Sequence, residues 1–132
     1  MRNKSIFIFT LFFWVTIPVG VSAVSVPEIT EEEKSLAISG ITDYYEGVRE
    51  AVISQEGKRI NLTIIVKQEI SEAYAKQLGD NFVRLVKLFS KDKTPGKDIG
   101  AGIYDYLITV YYPNRKLVAV GEKDSAYRRI AW

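Results

Sequence analysis

Apolar and polar residues alternate with period two between Val48 and Lys67, recur at spacings of three and four between Ser71 and Ser90, and return to period two from Tyr104. A strand in a half-buried sheet points successive side chains to opposite faces, whereas a helix brings back the same face every three to four residues. In the first block, Ile60, Leu62, Ile64 and Val66 alternate with Asn61, Thr63, Ile65 and Lys67. Residues 48–55 precede them across the short link Glu56-Gly57, so the two runs predict a β-hairpin. In the helical block Tyr74, Leu78, Phe82, Leu85 and Phe89 form an apolar stripe widened by Val86. Ser71 supplies an N-cap and Glu72 an acid in the first turn. Lys76, Asp80, Arg84 and Lys87 are placed mostly off the stripe, and Gly79 allows a close approach to a sheet.

The second alternating block puts Tyr104, Tyr106, Ile108, Val110 and Tyr112 on one face and Leu107, Thr109 and Tyr111 on the other. Pro113-Asn114-Arg115-Lys116 is a turn, and residues 117–120 return as a strand. Upstream, Thr30 and Glu33 have the spacing of a capping box, and Gly40 is a natural helix stop, which predicts a short helix over 31–39. The tail, with Tyr127, Ile130 and Trp132, is apolar enough to dock as one more short strand. The predicted fold is therefore α+β: short helix, hairpin, long amphipathic helix, hairpin. The expected architecture is an antiparallel sheet with the helix on one face.

The first residues carry a different pattern. Arg2 and Lys4 precede an apolar run from Ile6 to Ile17, broken by Pro18 and Gly20, and Val21-Ser22-Ala23 offers small residues. This is the three-part plan of a secretory signal, cleaved after Ala23. The predicted organisation is a signal peptide over 1–23, a linker over 24–30 and one domain over 31–132. The alternative is an uncleaved anchor over residues 5–26, a stretch without charge and long enough to span a bilayer. Either route delivers the domain outside the cytoplasm, as a secreted, periplasmic or envelope protein, and membrane contact is expected only through residues 5–26 if they are retained.

Charge and composition narrow the chemistry. The formal charge of the whole chain is +2, and it comes from Arg2 and Lys4, so the domain after the signal is formally neutral. A neutral domain has no field to draw it to nucleic acid, and no recognition motif is present. The chain has no histidine and no cysteine. The commonest general base and metal ligand are thus missing, as are thiolate and disulfide chemistry. No catalytic residue, cofactor or metal ligand is assigned. The glycine-rich segment 91–102 lacks the order of a phosphate loop. The acids Glu31, Glu32, Glu33, Asp43 and Glu46 lack calcium-loop spacing. Asn61-Leu62-Thr63 matches a glycosylation sequon but falls inside a predicted strand.

The concentration of aromatic residues in the last third remains. Tyrosine offers a large rigid face with a polar tip and is over-used at protein interfaces, although strand propensity and core packing also favour it. If the helix covers the face carrying Ile108 and Val110, the opposite face is the contact surface. Leu107, Tyr111 and Trp132 are the expected binding residues, and a protein in the envelope or outside the cell is the expected partner. The resulting expectation is a non-catalytic interaction or binding module. Its alternatives are a small-ligand protein or atypical enzyme, which would need a pocket with a buried Lys, Asp or Tyr, and a membrane-tethered accessory protein.

Overall fold

A computed structural model of the chain describes residues 26–92 and 99–132. The predicted signal, the anchor alternative up to residue 25 and the centre of the 91–102 segment lie outside the described residues. The elements follow in the order α1 (Glu31–Tyr44), β1 (Val48–Glu56), β2 (Arg59–Val66), α2 (Glu72–Phe89), β3 (Asp105–Tyr111) and β4 (Leu117–Lys123). The protein is an α+β domain with a four-stranded sheet in the order β1-β2-β3-β4.

Local chemistry sets the element ends. Thr30 accepts from the Glu33 N–H, and the Glu33 side chain accepts from the Thr30 N–H, which completes the capping box of α1. Ser71 accepts from the Tyr74 N–H at 3.1 Å and caps α2. Gly57, with φ of +61°, sits first in the two-residue link closing β1 onto β2, as a type II′ hairpin turn requires.

The sheet is mixed, not antiparallel throughout. β1 and β2 pair antiparallel, as do β3 and β4, but β2 and β3 pair parallel, with Leu62 beside Ile108 and Ile64 beside Val110. The reason is the connection between them. α2 carries the chain back across the sheet, so β3 starts at the end where β2 started, and neighbouring strands joined by such a crossover run parallel.

α1 is longer than the Gly40 stop predicts. Gly40 lies buried inside it, and a Cβ there would stand 2.9 Å from Leu85 Cδ2 of α2. Its small size serves helix–helix contact. The chain reverses after the helix instead, at Gly47, whose φ is +86°.

Both helices lie on one face. α1 packs on β1 and α2, and α2 on β2, β3 and β4. The buried side of α2 runs through Ala75, Leu78, Phe82, Val83 and Val86, while Tyr74, Leu85 and Phe89 are half-buried at its flank. Tyr74 reaches the Glu46 carbonyl at 2.7 Å at the end of α1. Phe82, Leu78, Ile41, Ile60, Ile64 and Ile108 are almost wholly buried in the core between helices and sheet.

The tail does dock, as a single bridge in place of a strand. Glu122 and Ala131 exchange backbone hydrogen bonds of 2.9 and 2.8 Å. Beyond the bridge, Trp132 lies over Gly79 of α2 and Gly121 of β4, and a Cβ at either position would run into its indole. The predicted close approach at Gly79 is therefore real, with the terminal indole and Ile108 as the groups it admits.

Two substitutions separate core from cap. Phe82→Ala should lower stability by about 3–5 kcal/mol, and Thr30→Ala by about 1 kcal/mol. Urea denaturation measures both. Comparable losses would contradict a core centred under α2.

Candidate functional site

The face turned away from the helices is built by alternation. Val52 and Ser54 of β1, Asn61, Thr63 and Ile65 of β2, Leu107, Thr109 and Tyr111 of β3, and Val120 and Glu122 of β4 share it. The register fixes its rows: Val52-Thr63-Thr109-Val120, Ser54-Asn61-Leu107-Glu122 and Glu50-Ile65-Tyr111-Leu117. No described element covers it. Val52, Leu117 and Val120 keep 45%, 53% and 39% of their surface exposed, while Leu107 and Tyr111 are half-buried among their neighbours. Polar contacts on this face are few and long: Thr63 and Thr109 approach at 3.5 Å and Asn61 donates to Ser54 at 3.5 Å.

Leu107 and Tyr111 thus stand on one surface, two rows apart. Trp132 does not join them, because it packs on the helix side against Gly79 and Gly121. Tyr104 and Tyr106 are buried, as expected for the helix-covered face.

The sequence reading missed a charged cluster inside the domain. Lys87, Asp92 and Lys123 are all at least 95% buried. Lys87 and Asp92 form an ion pair of 3.4 Å, and Lys87 also donates to the Ala101 carbonyl at 3.4 Å. Tyr106 donates to Asp92 Oδ2 at 2.7 Å, and the Ile103 N–H donates to Asp92 Oδ1. Lys123 lies 5.9 Å from the centre of the Tyr106 ring and donates to the Asp124 carbonyl at 3.2 Å. Gly102 makes room for the pair, since a Cβ there would overlap Asp92 and Lys87. Lys87, expected mostly off the apolar stripe of α2, is 5% exposed. It continues the Val83 row one turn later, and its burial is tolerated because Asp92 and a carbonyl satisfy the ammonium. Lys123 was legible in principle, since it alternates with Ala119 and Gly121 on the buried face of β4.

Burial and then the Asp92 charge push the Tyr106 hydroxyl far above the ordinary tyrosine value of 10.0. Burial, and after it the Lys87 charge, lowers the Lys123 ammonium below its ordinary 10.5, although Asp92, Asp105 and Asp124 pull the other way.

A cleft of about 290 Å³ opens at the end of the sheet where β2 and β3 begin, with Arg59, Asp105, Leu107, Glu122, Asp124 and Tyr127 among its lining residues. Leu107 and Glu122 belong both to this cleft and to the uncovered face. Burial opposes the charged form of Asp105, but the Ser125 N–H at 2.7 Å, a hydrogen bond with Asp124 and the Lys58 charge outweigh it and lower its pKa. Among the described residues no three potential ligands converge as a metal ion requires. No known family, curated protein or solved structure matches the chain.

Asp92→Asn should destabilise the domain by about 3–5 kcal/mol, because it leaves the Lys87 charge buried without its counterion. The cluster also sets an alkaline response. Above pH 10 tyrosines of the unfolded chain ionise while Tyr106 keeps its proton in the fold, so the native state holds more protons and stability falls as pH rises. Lys123 acts oppositely. Its native form loses the proton at lower pH than the unfolded one, so its contribution rises with pH up to its ordinary 10.5. The urea midpoint should therefore decline above pH 10, and less steeply in Tyr106→Phe. Identical slopes would show that Tyr106 ionises freely in the fold.

Proposed function

We propose that the protein is exported and works in the cell envelope or outside the cell as a non-catalytic protein-interaction module. Its contact surface is the uncovered sheet face around Leu107, Tyr111 and Val120. The observation that carries this reading is the exposure of Val52, Leu117 and Val120 on a face that no described element covers. A sheet with one face solvated ordinarily turns polar residues outward, whereas here apolar residues interrupt all three complete rows. Exposed apolar residues grouped on one face, as Leu117 and Val120 of β4 are beside Tyr111 and Leu107 of β3, mark a candidate interaction site.

A protein partner fits this surface better than a bilayer. Glu50, Glu56, Arg59, Lys67 and Glu122 lie on the face and are exposed, and such a charged border does not suit the interior of a bilayer. The interleaved Thr63, Thr109 and Asn61 suit a partner with hydrogen-bonding groups and do not suit lipid tails. Export rests on the pattern of residues 1–23. Trp132 is reassigned within this reading from contact to packing.

Photo-crosslinking in the host tests it. A photoreactive phenylalanine at position 120 of the full chain should give a discrete adduct with one envelope or secreted protein. The same residue at position 88, exposed on α2 away from this face, should not. Leu107→Ala or Tyr111→Ala should abolish the Val120 adduct while leaving the thermal melt little changed. No adduct, or equal adducts from both positions, would overturn the reading.

A further inference from the structure

The cleft and the uncovered face form one continuous surface, because Leu107 and Glu122 belong to both. The charge on that surface is mixed: Lys58 pairs with Asp105 at 3.9 Å, and exposed Lys67 follows Ile65 at the opposite end. Its apolar residues on β3 and β4, Leu107, Tyr111 and Val120, are bordered by Glu56, Asp105, Glu122 and Asp124 on the side of the cleft, while Val52 stands on the far edge strand across Thr63 and Thr109. Two cations also line the cleft. Arg59 lies in register between Glu56 and Asp105, which offset it. Lys123 is almost wholly buried and turned to the Asp124 carbonyl. Asp105 is held by the Ser125 N–H at 2.7 Å. Glu122 commits its backbone to Ala131 and keeps an exposed side chain at the mouth. Beside it Tyr127, 60% exposed, offers an aromatic face.

An acidic group at the mouth, an aromatic ring and the Leu107 side chain together suit the side chain of a lysine or arginine. Its methylene stem lies on apolar surface while its charged head meets the carboxylate, and the ring adds a cation–π contact. Resting on the interaction-module reading, we infer that the partner presents an apolar strip ended by a lysine or arginine, whose side chain enters the cleft between Leu107, Glu122 and Tyr127. The apolar strip lies over Val120 and Tyr111. Complementary charge of this kind selects the partner and speeds its encounter, and salt weakens it.

The test follows the adduct formed from position 120 in the full chain. Glu122→Lys should reduce its yield by about tenfold, since a like charge then faces the partner's cation. Glu122→Gln should reduce it less. Asp43→Lys, the same change of charge at the end of α1, should leave it unchanged. Raising the salt during crosslinking in envelope extracts should lower the yield of the unaltered protein and not that of Glu122→Lys. The partner peptide found by mass spectrometry should carry a lysine or arginine within a few residues of the crosslink. An adduct that depends on Leu107 and Tyr111 but ignores Glu122→Lys and salt, or one on a peptide without a basic residue, overturns the basic-partner inference and leaves the module standing. Absence of any adduct overturns both. Thermal melts of each variant separate lost binding from lost folding.

Discussion

Two helices lie side by side on one face of a four-stranded sheet, and the described chain has no further element for the other. That asymmetry governs the rest. It puts Phe82, Leu78, Ile41 and Ile108 into a closed core, where burial of large apolar side chains supplies most of the folding free energy. It also obliges the second face to meet solvent. A sheet face turned to solvent commonly carries mostly polar side chains. Val52, Leu117 and Val120 instead leave apolar area in contact with water, while Ile65, at 8% exposure, is shielded within the same surface. The edges of the sheet are less inviting. β4 is blocked along part of its length by the Ala131 bridge, and β1 carries Arg49, Glu50 and Glu56, charges of the kind that discourage pairing at an edge.

The charged cluster concerns the interior. Buried ionisable groups often mark catalytic sites, and Lys87, Asp92, Tyr106 and Lys123 invite that reading. Their hydrogen bonds argue for another. Both Asp92 oxygens are engaged, one by the Ile103 N–H and one by Tyr106 with Lys87 beside it, and Lys123 spends a proton on the Asp124 carbonyl. A reacting group needs a free valence facing a substrate. Here the groups face one another, so the geometry supports a structural role.

Much of this architecture was legible because it depends on period. Alternation identified both strand pairs and the face shared by Leu107 and Tyr111, and the Ser71 and Thr30 caps marked two helix starts. The parallel pairing of β2 and β3 depends on which strands become neighbours, and periodicity carries no such information. A βαβ connection between adjacent strands would have implied it. The true length of α1 was hidden because glycine serves two purposes. At Gly40 the need was contact with Leu85 and not reversal of the chain. The packing of Trp132 was hidden for the opposite reason. A large terminal aromatic looks like a contact residue until Gly79 and Gly121 are seen to form the slot that receives it. Lys87 and Asp92 were not legible, since each is ordinary alone and only the fold brings them together.

The cluster and the uncovered face are nevertheless linked through register. The chain leaves α2 at Ser90 and must enter β3 beside β2 in parallel, with no tight turn to fix the alignment. Asp92 binds the Ile103 N–H just before the strand and the Tyr106 hydroxyl just inside it. Tyr106 is thereby drawn to the helix side, in register with Ile60 on one flank and Lys123 on the other. A hydrophobic substitute could fill the same space with equal or better stability, and the buried alternation of Tyr104, Tyr106, Ile108 and Val110 would still favour this register. Slipping β3 by one residue would turn every side chain to the opposite face. Leu107 and Tyr111 would then enter the core, and Tyr106 and Ile108 would face solvent. The outward placement of Leu107 and Tyr111 therefore follows from the alternation along β3, and the hydrogen bonds from the Ile103 N–H and the Tyr106 hydroxyl to Asp92 act in the same direction from the far side of the sheet.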